Sequence, residues 1–175
     1  MPASDPSHRP WVKNHLETEG LLGELRTVVD VGPGCASWRI FLGPWMPDSV
    51  WAAVEVHQPY VDRFLLEHHY HAVTVADVRS LDPFPGADLV IFGDVLEHMP
   101  SPDARAVWDR ARLVSKRLVL GIPVRPYPQG AWEGNQHEAH ITDWTDYSVR
   151  QFFPGIYAGT CNADTGAYLA TGERQ

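Results

Sequence analysis

Four carboxylates and one glycine turn carry the chemistry that this 175-residue sequence could perform. Asp30, Glu55, Asp77 and Asp94 each stand at or just beyond the end of a short apolar run: TVVDV, SVWAAVEV, HAVTVA and ADLVIF. After the first run come Gly32-Pro33-Gly34 and an apolar-spaced segment through Trp38, Phe41 and Leu42. A strand, a tight glycine turn and a helix N-terminus let a ligand approach the backbone and meet unpaired N–H groups. Asp30 is the discriminating residue, because a site built for pyrophosphate seldom places a negative charge there, whereas a cationic ligand is drawn to one. Glu55 follows the turn by about twenty residues, where an acid accepts hydrogen bonds from both ribose hydroxyls of an adenosine. Asp77, one strand further on, is placed to take an exocyclic amine of adenine. Each acid alone reads more readily as a cap or turn former. Their repetition at successive strand ends points to one shared edge.

Nine histidines supply candidate bases near neutral pH. His98 lies in DVLEHM after the fourth apolar run, and His137 and His140 lie in NQHEAHITDW. His98 and His140 are the preferred catalytic candidates, with local hydrogen bonding as the plainer reading of each. Glu97 reads as a cap or structural acid. A metal held by His137 and His140 with Glu133 or Asp143 is set aside, because metal ligand sets are usually more compact and complete; no metal is expected. His68, His69 and His71 read as a helix end and turn. Tyr127, Trp132 and His137 are candidate contacts for an acceptor, or anchors of their own loop.

These residues need elements to hold them. Helical spacing predicts a helix over 11–25 after a flexible lead-in at 1–10. Strands are predicted at 27–31, 49–56, 71–76, 88–92 and 116–122, and helices from Pro59 through Leu66, over 102–114 and over 143–153. The alternation implies a parallel sheet with right-handed crossovers. Two further strands at 155–159 and 167–171, with no helix between them, predict an antiparallel pair. The loop 123–141 carries three prolines and leaves the fifth strand at the ligand-binding edge of such a sheet, so a substrate-side role is expected. The fold class is therefore α/β: one doubly wound, Rossmann-like domain over 1–175, with about seven strands.

Composition narrows the partners. Apolar residues at 44% and charged residues at 21% are ordinary for a globular chain. No apolar run approaches the roughly 18 residues of a membrane helix, and the first residues lack a hydrophobic signal core. A cytoplasmic protein with no membrane partner is expected. Cys35 and Cys161 are too few and too separated for a disulfide framework or a zinc site. A formal charge of −8 disfavours a nucleic-acid surface.

From about Leu25 to Gly172 the chain resembles the class I S-adenosylmethionine-dependent methyltransferases. VVDVGPG matches the family's first motif, VEVH its second-strand acid, VADV its adenine-contacting turn, and GDVLEHM its fourth-strand motif. The resemblance implies S-adenosylmethionine as cofactor. Asp30, Gly32, Pro33 and Gly34 would surround its methionyl part, and Glu55 with Val56 its ribose. Asp77 and Val78 would bracket the adenine, with Asp94 and Val95 on the floor near the methyl group. Ala36 stands where the family often has a third glycine, and tighter packing is expected there. The implied function is methyl transfer to oxygen or nitrogen of a small molecule. Two alternatives stay open: a cofactor-binding module or partner subunit without catalysis, and a nicotinamide-dependent oxidoreductase, since GPGCAS and Glu55 loosely satisfy the dinucleotide fingerprint. Oligomeric state is not readable.

Overall fold

Neighbouring residues of a strand face opposite sides of its sheet, and strand β1 (Thr27–Val31) is apolar on both. Val28 packs into one core with the first helices, while Val29 and Val31 pack into a second core on the other side. The computed structural model describes residues 5–82 and 84–174. Its seven strands are β1, β2 (Val50–Glu55), β3 (Ala72–Val75), β4 (Ala87–Gly93), β5 (Ser115–Pro123), β6 (Ile156–Cys161) and β7 (Thr165–Thr171). They form one sheet in the order β3-β2-β1-β4-β5-β7-β6. The first five are parallel; β7 runs antiparallel to both β5 and β6.

Helices cover both faces. On one lie α1 (Arg9–Thr18), α2 (Ser37–Leu42), α3 (Gln58–Arg63) and α4 (Leu66–His69); on the other lie α5 (Ser101–Leu113) and α6 (Asp146–Phe152). Strand β4 is buried at all seven positions, as a central strand covered on both faces must be. Chain order reverses between β1 and β4, and the crevice beyond the carboxyl ends of such strands is where open α/β sheets bind ligands.

Three expectations are corrected. The first helix ends at Thr18 rather than reaching 25, because Gly20 turns left-handed at φ 74°. The amides of Gly20 and Leu21 then bond back to the carbonyls of Glu17 and Leu16, which closes the helix end. The helix expected from Pro59 through Leu66 is broken into α3 and α4 at Leu65, which adopts φ 50°. Residues 5–10 of the supposed flexible lead-in are ordered, and 1–4 lie outside the described residues. Asp5 accepts from the Ser7 amide at 2.8 Å and from the Thr165 hydroxyl at 2.7 Å, and His8 Nε2 lies 2.9 Å from the Thr165 carbonyl. These bonds tie the chain start to the β6–β7 hairpin. Among the described residues, no helix is long and apolar enough to cross a membrane.

Candidate active site

A cavity of about 400 Å³ opens at the switch point, within the roughly 300–1,000 Å³ usual for small-molecule sites. Its first wall is the turn after β1. Gly32 and Gly34 both take left-handed φ values, 62° and 52°. A Cβ on Gly32 would meet Val95 Cγ2 at 2.5 Å, so the turn and the β4 end touch there with no room for a side chain. Ala36 is also left-handed, at φ 60°, and fully buried. The tight packing expected of it is present, together with a conformation that favours glycine.

Glu55 closes β2 and is 4% exposed. Its Oε1 accepts from the His57 amide at 2.9 Å, and the Gly34 amide also bonds the carboxylate. Burial pushes its pKa up to about 7, against those amides, which favour the charged form. Asp77 caps a short turn after β3 and lines the cavity with Val78. Its oxygens are engaged by the Arg79 guanidinium, at 2.5 to 3.0 Å, and by the Arg79 amide. The Arg79 hydrogen bonds hold Asp77 below the ordinary carboxylate range despite partial burial. In this structure the oxygens expected to meet an adenine amine are therefore held by Arg79, and the cavity is less negative than its acids alone suggest.

Asp30 departs from expectation. It shares the face of β1 that carries Val28, lies fully buried, and does not line the cavity. Its Oδ2 accepts from the Tyr70 hydroxyl at 2.6 Å, and burial raises its pKa to about 7. The period of the strand decides this: Val31 faces the other core and lines the cavity, so Asp30 faces beneath it.

The far wall is built from the turn after β4 and the 123–141 loop. Asp94, at φ 56°, and Val95 line it as expected. The loop is more ordered than its prolines predict, with a Trp132–Asn135 bridge and a short turn at Gln136–Glu138. It is stitched to the β4 turn: the amides of Ile141 and Thr142 both donate to the Glu97 carbonyl, at 2.8 and 3.0 Å. The Thr142 hydroxyl donates to the Met99 carbonyl at 2.8 Å. This seats His140 against His98, ring centroids 4.9 Å apart. Tyr127 and His137 also line the cavity, whereas Trp132 does not.

Burial pushes His98 down to about 4 and lowers His140 as well, so both imidazoles are neutral near pH 7. Glu97, read from the sequence as structural, is 1% exposed and borders the cavity. Burial, and then the charge of Asp94, raise its carboxyl well above the ordinary range. Tyr60, Arg79, Glu138 and Asp5 also line the cavity and were not singled out in the sequence. Tyr60, three residues beyond the VEVH motif, was the one within reach of a motif argument.

Sheet order and site together define the class I methyltransferase fold. No family model matches the chain. The N-terminal domain of EvdMO1, solved with SAH bound, superposes with TM-score 0.68 at 11% identity, covering 97% of this chain and 83% of that one. An S-adenosylmethionine-dependent methyltransferase from Clostridium acetobutylicum gives TM-score 0.69 at 9% identity, over 93% and 89%. An O-methyltransferase from neocarzinostatin biosynthesis, solved with SAH and 1,4-dihydroxy-2-naphthoic acid, gives TM-score 0.62 at 17% identity, over 95% and 57%. Among curated sequences, a tRNA (guanine-N(7)-)-methyltransferase from Nitrosomonas eutropha is 24% identical over 144 residues, 80% of this chain. The matched region spans 62% of that relative.

Proposed function

We propose that this chain transfers a methyl group from S-adenosylmethionine to the oxygen or nitrogen of a small molecule. The observation that carries this reading is a single cavity bordered at once by the left-handed glycine turn, buried Glu55 and the paired histidines. Structures of the same fold crystallised with SAH support the same cofactor. On this reading Gly32, Pro33 and Gly34 hold the methionyl part, and Glu55 with Val56 takes the ribose. Val78 flanks the adenine beside Asp77, and Asp94 and Val95 sit near the methyl. Asp30 acts from below as a positioning residue, through Tyr70 and the strand.

When bound, the cofactor supplies a methyl carbon activated by its positive sulfur. The protein's part is alignment and exclusion of water. The stitched loop covers the acceptor side, where His98 and His140 can take a proton or orient the nucleophile. The cavity volume of about 400 Å³ and the −8 charge favour a small acceptor over a nucleic acid. The 24% identical relative favours a second reading, a guanine of RNA as acceptor.

Calorimetry tests the cofactor. S-adenosylmethionine and SAH are expected to bind and NAD is not; binding of NAD with neither sulfur compound overturns the proposal in favour of an oxidoreductase. A turnover screen over hydroxylated and amine acceptors and bulk tRNA then separates the rest. Cofactor binding with no methylated product on any of them supports a binding module instead.

A further inference from the structure

Glu97 has no assigned use in methyl transfer. Its side chain is 1% exposed, and among the described residues neither oxygen completes a hydrogen bond. Its own backbone amide also contacts the carboxylate and favours its charged form. A carboxylate in that setting is costly unless it is protonated or joined to a cation. Its backbone is held in place, because its carbonyl accepts from the Ile141 and Thr142 amides.

Two imidazoles face it. His98 Nε2 stands 3.9 Å from Glu97 Oε1, and one donor atom each from Glu97, His98 and His140 all lie within 4.8 Å of one another. Each ring is anchored by the backbone. His98 Nδ1 lies 3.2 Å from the Ala139 carbonyl, and a carbonyl only accepts, so Nδ1 carries the proton and Nε2 keeps its lone pair. The Asp94 carbonyl also approaches this ring, and the Tyr127 backbone holds that of His140. Metal-binding imidazoles are oriented in this way, by a hydrogen bond on the far nitrogen.

We propose that Glu97, His98 and His140 bind one divalent first-row transition ion on the acceptor side of the cavity, and that the ion takes an acceptor hydroxyl in an open position. This revises the expectation of no metal, with a donor set that shares only His140 with the one weighed on the sequence. Two nitrogen donors and one carboxylate suit zinc(II), cobalt(II) or manganese(II) better than magnesium or calcium, which prefer all-oxygen shells. Three protein donors leave positions open, as catalytic sites do. Bonds of about 2.0–2.2 Å draw the three groups inward from their present spacing. The ion also supplies the positive charge that Glu97 lacks.

The hydroxyl half of the proposal rests on the methyl-transfer reading; the ion site does not. An ion-held hydroxyl loses its proton to solvent more readily than a free one. Its oxygen lone pair then forms the new C–O bond while the C–S pair returns to sulfur, leaving a methyl ether, a neutral thioether and the ion unchanged.

The test is titration of chelator-treated, full-length protein with cobalt(II), read by visible absorption, and with zinc(II), read by calorimetry. One ion per chain is expected, with affinity at least 10-fold weaker in Glu97→Gln and in His140→Ala, and unchanged in His68→Ala on exposed α4. Circular dichroism of each variant checks the fold, and His140→Ala, only half-buried, serves as the independent arm should Glu97→Gln fail to fold. Absence of stoichiometric binding to wild type, or wild-type affinity in both triad variants, overturns the site. SAH is titrated in parallel. Cobalt binding without SAH binding supports the ion site while removing the methyl-transfer reading. SAH binding without cobalt binding overturns the ion site and leaves that reading standing.

Discussion

The two walls of the cavity satisfy their acids in opposite ways. On the β1–β2–β3 side each carboxylate has at least one oxygen answered close by: Glu55 by the His57 amide, Asp77 by Arg79 and Asp30 Oδ2 by Tyr70, with Asp30 Oδ1 left unpaired among the described residues. On the β4–β5 side Glu97 is buried with neither oxygen hydrogen-bonded, and its nearest functional groups include an imidazole brought by a distant loop. The first wall answers each of its acids at least once. The second keeps unused bonding capacity, which is what a reacting side requires.

The contact between the walls gives the largest effect. Gly32→Ala forces a Cβ into Val95 at a backbone conformation alanine resists. It is expected to destabilise the fold by about 2–4 kcal/mol, with loss of SAH binding, in denaturant unfolding and calorimetry. Wild-type stability would show that the walls move independently and would break the comparison.

The second effect separates the walls. Glu55→Ala is expected to weaken S-adenosylmethionine by roughly 2 kcal/mol, about 30-fold, by removing the ribose acceptor. His140→Ala is expected to spare cofactor affinity and lower turnover; equal cofactor loss in both variants contradicts the division of labour. Because free Glu55 titrates near 7 and ribose hydroxyl donors favour its charged form, cofactor binding should release protons around neutral pH. Affinity then rises as pH rises through 7, and calorimetry in buffers of different ionisation enthalpy reads the release.

A smaller effect probes the scaffold beneath. Burial raises the folded pKa of Asp30 to about 7 against 3.8 unfolded, with Tyr70 and Arg9 lowering it and Glu55 raising it further. The folded state therefore holds the extra proton, and its contribution is complete below pH 4 and lost as pH rises through 7. Unfolding free energy is expected to fall across that window, and Asp30→Asn should flatten the slope. An unchanged slope would assign it to Glu55 alone. Ala36→Gly is the smallest: relief of the left-handed strain, about 1 kcal/mol, is offset by the lost buried methyl. A melting temperature within a few degrees of wild type is expected.

Much of the first wall was legible because its signals are local. A glycine pair after an apolar strand, and an acid at the end of the next, specify their own backbone. The central strands β1, β4 and β5 were placed within about two residues for the same reason, since burial on both faces leaves a continuous apolar run. Two things were not legible. Asp30 points beneath the cavity because of strand phase relative to the layers, which no motif encodes. Arg79 covers Asp77 because a turn of three residues folds the guanidinium back.

What the sequence alone determined is the class of cradle: strand, left-handed glycine turn, an acid closing the second strand and antiparallel terminal strands. Each follows from conformational limits or periodicity within a few residues. What the tertiary structure decided is the wall built from the β4 turn and the 123–141 loop. Glu97 and His140 are neighbours only because the loop's amides at Ile141 and Thr142 close on the Glu97 carbonyl. Such long-range closure depends on the whole sheet holding both segments at one edge, and no local spacing in the chain could announce it.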